Sequence, residues 1–285
     1  MRRNAALICA FCLFFICAEG QRPILFKIKY QPNRSYQSTV SVTSNMELNI
    51  QNLSKKDSDK LIKEGIAMPI TATTSTISDV SVITGNLNGD NEFPVVFQYY
   101  NVTNKMTVSG KDIPTGQSPL IGHAMYGKTN QAGEMHLDSI SGTLKDTSLR
   151  TELKNAFNNM VGELRLPEKK VKIGDTLYLE VPYNHPIGGV DTHFIIKATY
   201  KLTSIRKGLA LFDISQSVQL DMNNVNGAST YIGKGIGSGK MVYSIKENFF
   251  RSIDREISFD YQMEYKGKTM KGEAKINSSY FFSVK

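Results

Sequence analysis

Apolar and polar residues alternate one for one along several long stretches of this chain, and few folds can absorb such a pattern. From Val40 to Ile50 the even positions are Val40, Val42, Ser44, Met46, Leu48 and Ile50, and the odd ones are Ser41, Thr43, Asn45, Glu47 and Asn49. The same holds for Phe194, Ile196, Ala198, Tyr200 and Leu202, interleaved with Ile195, Lys197, Thr199 and Lys201. It recurs in Ile257, Phe259, Tyr261, Met263 and Tyr265, set against Ser258, Asp260, Gln262 and Glu264. Side chains on a strand point alternately to opposite faces, so each stretch predicts an antiparallel strand with one face covered and one solvated. These strands exceed the usual length of roughly five or six residues.

Turn chemistry joins them into hairpins. Arg206-Lys207-Gly208 separates a strand over 194–205 from one over 209–222, and Lys266-Gly267-Lys268 separates 253–265 from 269–282. Asn88-Gly89-Asp90 and the stretch Lys128 to Gly133 do the same in the first half. Two segments break the alternation. Ser54 to Glu64, ending at Gly65, reads as a short charged helix or an ordered loop. Residues 146–164 predict a central helix, because Leu149, Leu153, Phe157, Met160 and Leu164 recur at three- and four-residue steps behind a cap at Asp146 or Ser148. It divides the chain into a first β half, 21–145, and a second, 165–285, either as two parts of one continuous domain or as a duplicated unit.

Amphipathic strands in this number expose more apolar surface than one helix can cover. The expected class is therefore all-β and mainly antiparallel, with long curved strands forming an open barrel or two packed sheets around one central helix.

The three cysteines, Cys9, Cys12 and Cys17, all lie in a leader-like start. Arg2 and Arg3 precede an apolar run from Ala5 to Ala18, and Ala18-Glu19-Gly20 is a small-x-small cleavage pattern, so residues 1–20 are expected to be a signal peptide. The run, 14 residues, falls short of the roughly 20 a spanning helix needs. Lipidation at Cys17 is the alternative. The mature chain is expected to be exported, to the periplasm or the medium, and to hold its fold without disulfides. Its basic balance, +8 overall, comes from dispersed lysines with no nucleic-acid-binding pattern, so no nucleic acid is expected as partner.

The Pro32-x-x-x-Tyr36 opening, the run Leu166-Pro167 followed by Val171-Lys172-Ile173-Gly174-Asp175-Thr176, and the late glycine-rich strand resemble a family of exported bacterial proteins of the Gram-negative envelope type that carry a domain of unknown function. That resemblance implies compartment and fold, not an activity. The architecture also looks like the open barrels that carry lipoproteins or lipids across the periplasm.

Catalytic motifs fare poorly. Gly233, Gly235, Gly237 and Gly239 fall on one face of a strand and read as tight packing or a kink; neither the P-loop nor the dinucleotide spacing is met. Ser204-Ile205-Arg206-Lys207 has the Ser-x-x-Lys spacing but runs into a turn rather than starting a helix. Glu134, His136 and Asp138 share a strand face, each about 6–7 Å from the next, and alone cannot converge on a metal.

The expectation is a non-catalytic envelope protein, without cofactor or metal, that binds an apolar or amphipathic ligand such as a lipid, an acylated protein or a peptide. Its lining would be Val40, Val42, Met46, Leu48, Tyr200, Phe259, Tyr261 and Met263, with Phe157 and Met160 of the helix as a plug. Three other readings stay open: a structural or interaction protein of the envelope with a filled core, a metal-dependent hydrolase built on Glu134, His136 and Asp138, and a transmembrane β-barrel.

Overall fold

The computed structural model describes residues 22–118, 121–130, 133–141, 150–151, 166–187, 190–223, 229–265 and 268–285. Long strands dominate: β2 (Ser35–Ile50), β3 (Ile70–Thr84), β4 (Glu92–Val108), β9 (Thr176–Ile187), β10 (Val190–Arg206), β11 (Leu209–Asn223), β12 (Ser229–Ser244), β13 (Phe249–Tyr265) and β14 (Lys268–Val284). With the shorter β5 (Lys111–Ile113), β6 (Ala124–Asn130) and β7 (Met135–Ile140) they form a twelve-stranded antiparallel sheet. Its order is β7-β6-β4-β3-β2-β14-β13-β12-β11-β10-β9, with β5 beside β4, and the sheet is not closed. Among the described residues two further short strands, β1 (Ile24–Leu25) and β8 (Lys170–Val171), pair only with each other.

The sequence is all-β as its alternation requires, and the turns show why neighbours are antiparallel. Lys207 and Gly208 both have positive φ, 50° and 76°, the geometry of a two-residue turn whose twist matches the flanking strands. Ser109 and Gly110, at 47° and 78°, turn β4 into β5 the same way. Ser54 to Glu64 resolves as a helix, α1 (Lys55–Lys63), capped by Ser54, whose Oγ accepts the Asp57 backbone N–H at 3.1 Å. Asp57 also takes a 2.5 Å ion pair from Lys268 Nζ, which pins α1 to the start of β14 and holds the Asp57 carboxyl below its usual range. The predicted central helix, apart from helical Arg150 and Thr151, lies outside the described residues.

One face of the sheet is mainly apolar. At one end, the base, that face is packed shut. Phe93, Val95 and Phe97 of β4, Val80 and Val82 of β3, Tyr36 of β2, Phe249, Phe250 and Ile253 of β13, Met241 and Tyr243 of β12, Phe212 and Ile214 of β11, and Leu202 of β10 form one buried cluster. The chain ahead of β2 lies against it as a strap. Phe26 is fully buried, edge-on to Phe212 and Tyr243 at 5.0 and 5.2 Å between ring centres. The Tyr243 hydroxyl donates to the Lys27 carbonyl at 2.7 Å, and Lys29 N–H donates to the Asn248 carbonyl at 3.1 Å. Tyr30 stacks edge-on against Tyr36 and Phe249, and an ion pair from Lys27 to Glu168 ties the strap to the segment before β8.

The outer edge β9 carries Pro182 and Pro186, which lack the N–H a further strand would need. The seam at the sheet's centre is β2 against β14, where Ser35 N–H and Lys285 N–H each donate to the other's carbonyl at 3.0 and 2.9 Å.

Candidate functional site

Away from the base the same face is covered only in part: Ala274 and Val218 are buried, Phe259 is half-buried and Met46 is exposed. The register brings Met46, Ala274, Phe259, Gly235 and Val218 into one row across β2, β14, β13, β12 and β11. Leu48, Gly272 and Tyr261 start the next row toward the tip. Val40, Val42, Leu48, Phe259, Tyr261 and Met263 are half-buried, and Met46 is 39% exposed. Of the residues expected to line a ligand face, these seven lie together on β2 and β13, separated by β14. Tyr200 stands apart, 7% exposed within the base cluster. Phe157 and Met160 lie outside the described residues.

Glycines shape this face from below. A Cβ on Gly235 would sit 2.3 Å from the Phe259 Cβ, and one on Gly237 2.8 Å from the Ile257 Cγ1. The bare stretch of β12 is thus occupied by its neighbour's side chains, the tight packing expected of it. Gly272 does the same on β14, where a Cβ would meet the Tyr261 ring at 2.5 Å. The Tyr261 ring spans that gap so that its hydroxyl reaches the Glu47 carbonyl at 3.4 Å, and burial pushes the phenol up from its ordinary pKa. The face is low and broad there, floored by rings laid over glycine.

Two polar residues interrupt the apolar file where the packed base gives way to the open half. Arg255 of β13 stands on this face between Ile253 and Ile257. Its Nη2 donates to the Tyr280 hydroxyl at 2.8 Å, and the guanidinium lies 5.0 Å from that ring's centre. Gln216 of β11 is 6% exposed, and its Oε1 accepts no hydrogen bond. It faces Ile257 across Gly237, with its Cβ 3.4 Å from where a glycine Cβ would be. Neither residue was among the expected lining. Arg255 was legible as the one cation falling in step with Ile257, Phe259 and Tyr261.

The opposite face is polar. A hollow of about 1260 Å³ lies there over β10 to β14 and β2, and its walls include Glu47, Lys197, Lys234, Asp260, Lys271 and Glu273. Lys234 pairs in register with Asp260, but Asp260 also stands opposite Glu273 and Glu273 opposite Glu47, so three carboxylates adjoin in one row. Exposed Ile195, Ile232 and Ile236 stand among these charges, so this hollow is mixed in character, unlike the mainly apolar face behind it.

Glu134, His136 and Asp138 are all exposed at the edge of the sheet. Glu134 is taken up locally, its carboxylate accepting from Asn130 Nδ2 at 2.7 Å. Among the described residues no group of three or more histidines, cysteines or carboxylates is placed to hold a metal ion. Among the same residues no helix is long and apolar enough to cross a membrane.

No family model matches the chain, and no curated protein matches it. Among solved structures it is similar to the chain in a study of lipid–protein interactions in lipovitellin, at 10% identity and a TM-score of 0.43, over 90% of this chain and 26% of that one. This chain therefore spans about a quarter of the lipovitellin chain. It is also similar to a mutant porin of Rh. blastica, at 9% identity and a TM-score of 0.23, over 87% of this chain and the whole of the porin.

Proposed function

We propose that this protein is an exported, non-catalytic binder of an apolar or amphipathic ligand, a lipid or the acyl chain of a larger molecule, held along the open half of its apolar sheet face. The observation that carries this reading is a contrast within single strands. On β2 Tyr36 is buried, whereas Val42 and Leu48 are only half-buried and Met46 is exposed, all at face-on positions of one strand. On β13 Ile253 is buried and Phe259, Tyr261 and Met263 are half-buried. A contiguous apolar surface of this kind is costly to leave in water and is the usual mark of a binding surface. Export, to the periplasm or the medium, rests on the leader-like pattern of residues 1–20.

Native mass spectrometry of the protein purified without detergent is expected to show co-purifying lipid, and the delipidated protein is expected to take up a fluorescent fatty acid. Phe259→Asp and Leu48→Asp are each expected to weaken that uptake about tenfold or more, about 1.4 kcal/mol, with unchanged β-sheet circular dichroism. A delipidated, folded protein that takes up no lipid would sink the proposal and leave a scaffold with a self-sufficient face.

A further inference from the structure

Behind the packed base, on the polar face of the sheet, lies a cleft with aromatic walls. Tyr280 and Phe282 of β14 pack against the buried cluster, so Phe281 between them points to the other face, where it is 56% exposed. In register beside it stand Thr39 on β2, Asp79 on β3 and Asn101 on β4. The pairing of β3 with β4 shifts between Asp79 and Val80, and the extra residue of β4 is Tyr100, 54% exposed. Phe281, Thr39, Asp79 and Tyr100, with Gln37 and Ser283, line a hollow of about 370 Å³. Among the described residues of its wall Asp79 carries the only charge. Thr39 Oγ1 donates to Asp79 Oδ1 at 2.7 Å and Asn101 Nδ2 donates to Oδ2 at 3.2 Å. Two neutral donors thus hold the carboxylate in place without neutralising it.

We infer that this cleft binds an organic cation of the alkylated ammonium type, such as choline, with its charge over Asp79 and its methyl groups against the rings of Phe281 and Tyr100. Charge and surface both point to that occupant. The faces of aromatic rings are negative and draw cations, quaternary ammonium groups among them. A bare ammonium keeps a tight shell of water, whereas a methylated one presents apolar surface that two rings can cover. The carboxylate adds a full opposite charge, and its attraction is stronger where rings displace water than in bulk solvent. Phe281 and Tyr100 stand on strands three steps apart, about 14 Å between their main chains. They wall a gap floored by Thr39 and Asp79 rather than form a stacked pair. The cleft lies on the face opposite the proposed ligand face and stands whether or not that face binds lipid.

Ligand-observed NMR titration of the full mature protein tests this with choline and with its neutral analogue, in which a quaternary carbon replaces the nitrogen. Glucose is the third probe, because a sugar ring is the other occupant that aromatic walls beside polar groups would suit. The wild type is expected to bind choline about tenfold or more tighter than the analogue, and not to bind glucose. Asp79→Asn, which removes the charge and little of the shape, is expected to erase that preference. Phe281→Leu and Tyr100→Leu should each weaken choline about fivefold or more, while Tyr100→Phe, which keeps the ring, should leave it unchanged. Circular dichroism of each variant checks that the sheet is intact. Equal binding of choline and its analogue, a preference that survives Asp79→Asn, or glucose bound in place of choline overturns the inference. So does a folded wild type that binds none of the three. Lipid uptake on the other face is read separately and is expected to be the same in all four variants.

Discussion

The base and the open half of the sheet are made from the same strands, the same alternation and the same residue types, yet one is a core and the other a surface. The difference is the strap. Phe26 and Tyr30 occupy the face at the base, and the aromatic rings of β12 and β13 close on them; toward the tip the described chain supplies no equivalent. Full burial of a large apolar side chain is worth about 1.5–3 kcal/mol, and half-burial forgoes much of that. An amphipathic strand thus specifies that a face must be covered without saying by what, and stability and ligand binding can be divided along the length of one strand.

The sharpest way to break this division is at the strap. Phe26→Ala removes a fully buried ring from between Phe212 and Tyr243 and is expected to cost about 3–5 kcal/mol, read as a fall in denaturant midpoint; a loss as small as that of an open-half substitution would show that the base is not the stable part. Alkali tests the same region next. Burial pushes the Tyr243 hydroxyl up to about 12, and Tyr30 rises too through burial and the nearby Tyr36. The folded state keeps these protons where the unfolded chain, titrating near 10, has lost them. Their stabilisation is therefore complete below about pH 10 and is lost as pH rises toward 12, on the order of 2–3 kcal/mol for Tyr243. Thermal melts between pH 8 and pH 11.5, with Tyr243→Phe flattening the decline, measure it.

In the open half the effects are smaller. Gly235→Val sets a side chain against the Phe259 Cβ and the Ser258 carbonyl, 2.3 and 2.4 Å from its Cβ, and is expected to cost about 1–3 kcal/mol by overpacking; chemical denaturation decides it, and a neutral outcome would mean the ring is free to leave. Met263→Ala is expected to cost about 1 kcal/mol in the same assay while lowering lipid uptake, a separation of stability from binding that no base residue should show. The smallest effect belongs to the tip, where Lys268→Ala breaks an exposed pair with Asp57 and should change the midpoint hardly at all.

Much of this was written in the chain. The alternation through 40–50, 194–202 and 257–265 announced the strands and which residues share a face, because strand periodicity is a local property. The Lys207-Gly208 turn was equally plain, as was the packing role of the β12 glycines. The strap was not: Phe26 and Tyr30 owe their burial to Phe212, Tyr243 and Phe249, far away in sequence, and a two-residue β1 carries no pattern. Tyr200 shows the same limit from the other side. Its alternation placed it on the right face, but only the long-range packing puts it in the closed half rather than the open one. Arg255 was visible and passed over, since a cation in an apolar file reads as an exception until the structure shows that it marks a boundary.

The seam between β2 and β14 makes the first long strand and the last one neighbours at the middle of the sheet. Contacts between residues so far apart in sequence form late and slowly. The sheet can be joined at its centre only after Met270 to Val284 has left the ribosome, so the growing chain has two half-sheets and no whole one. The order of the strands therefore postpones the whole sheet until the last strand has been made.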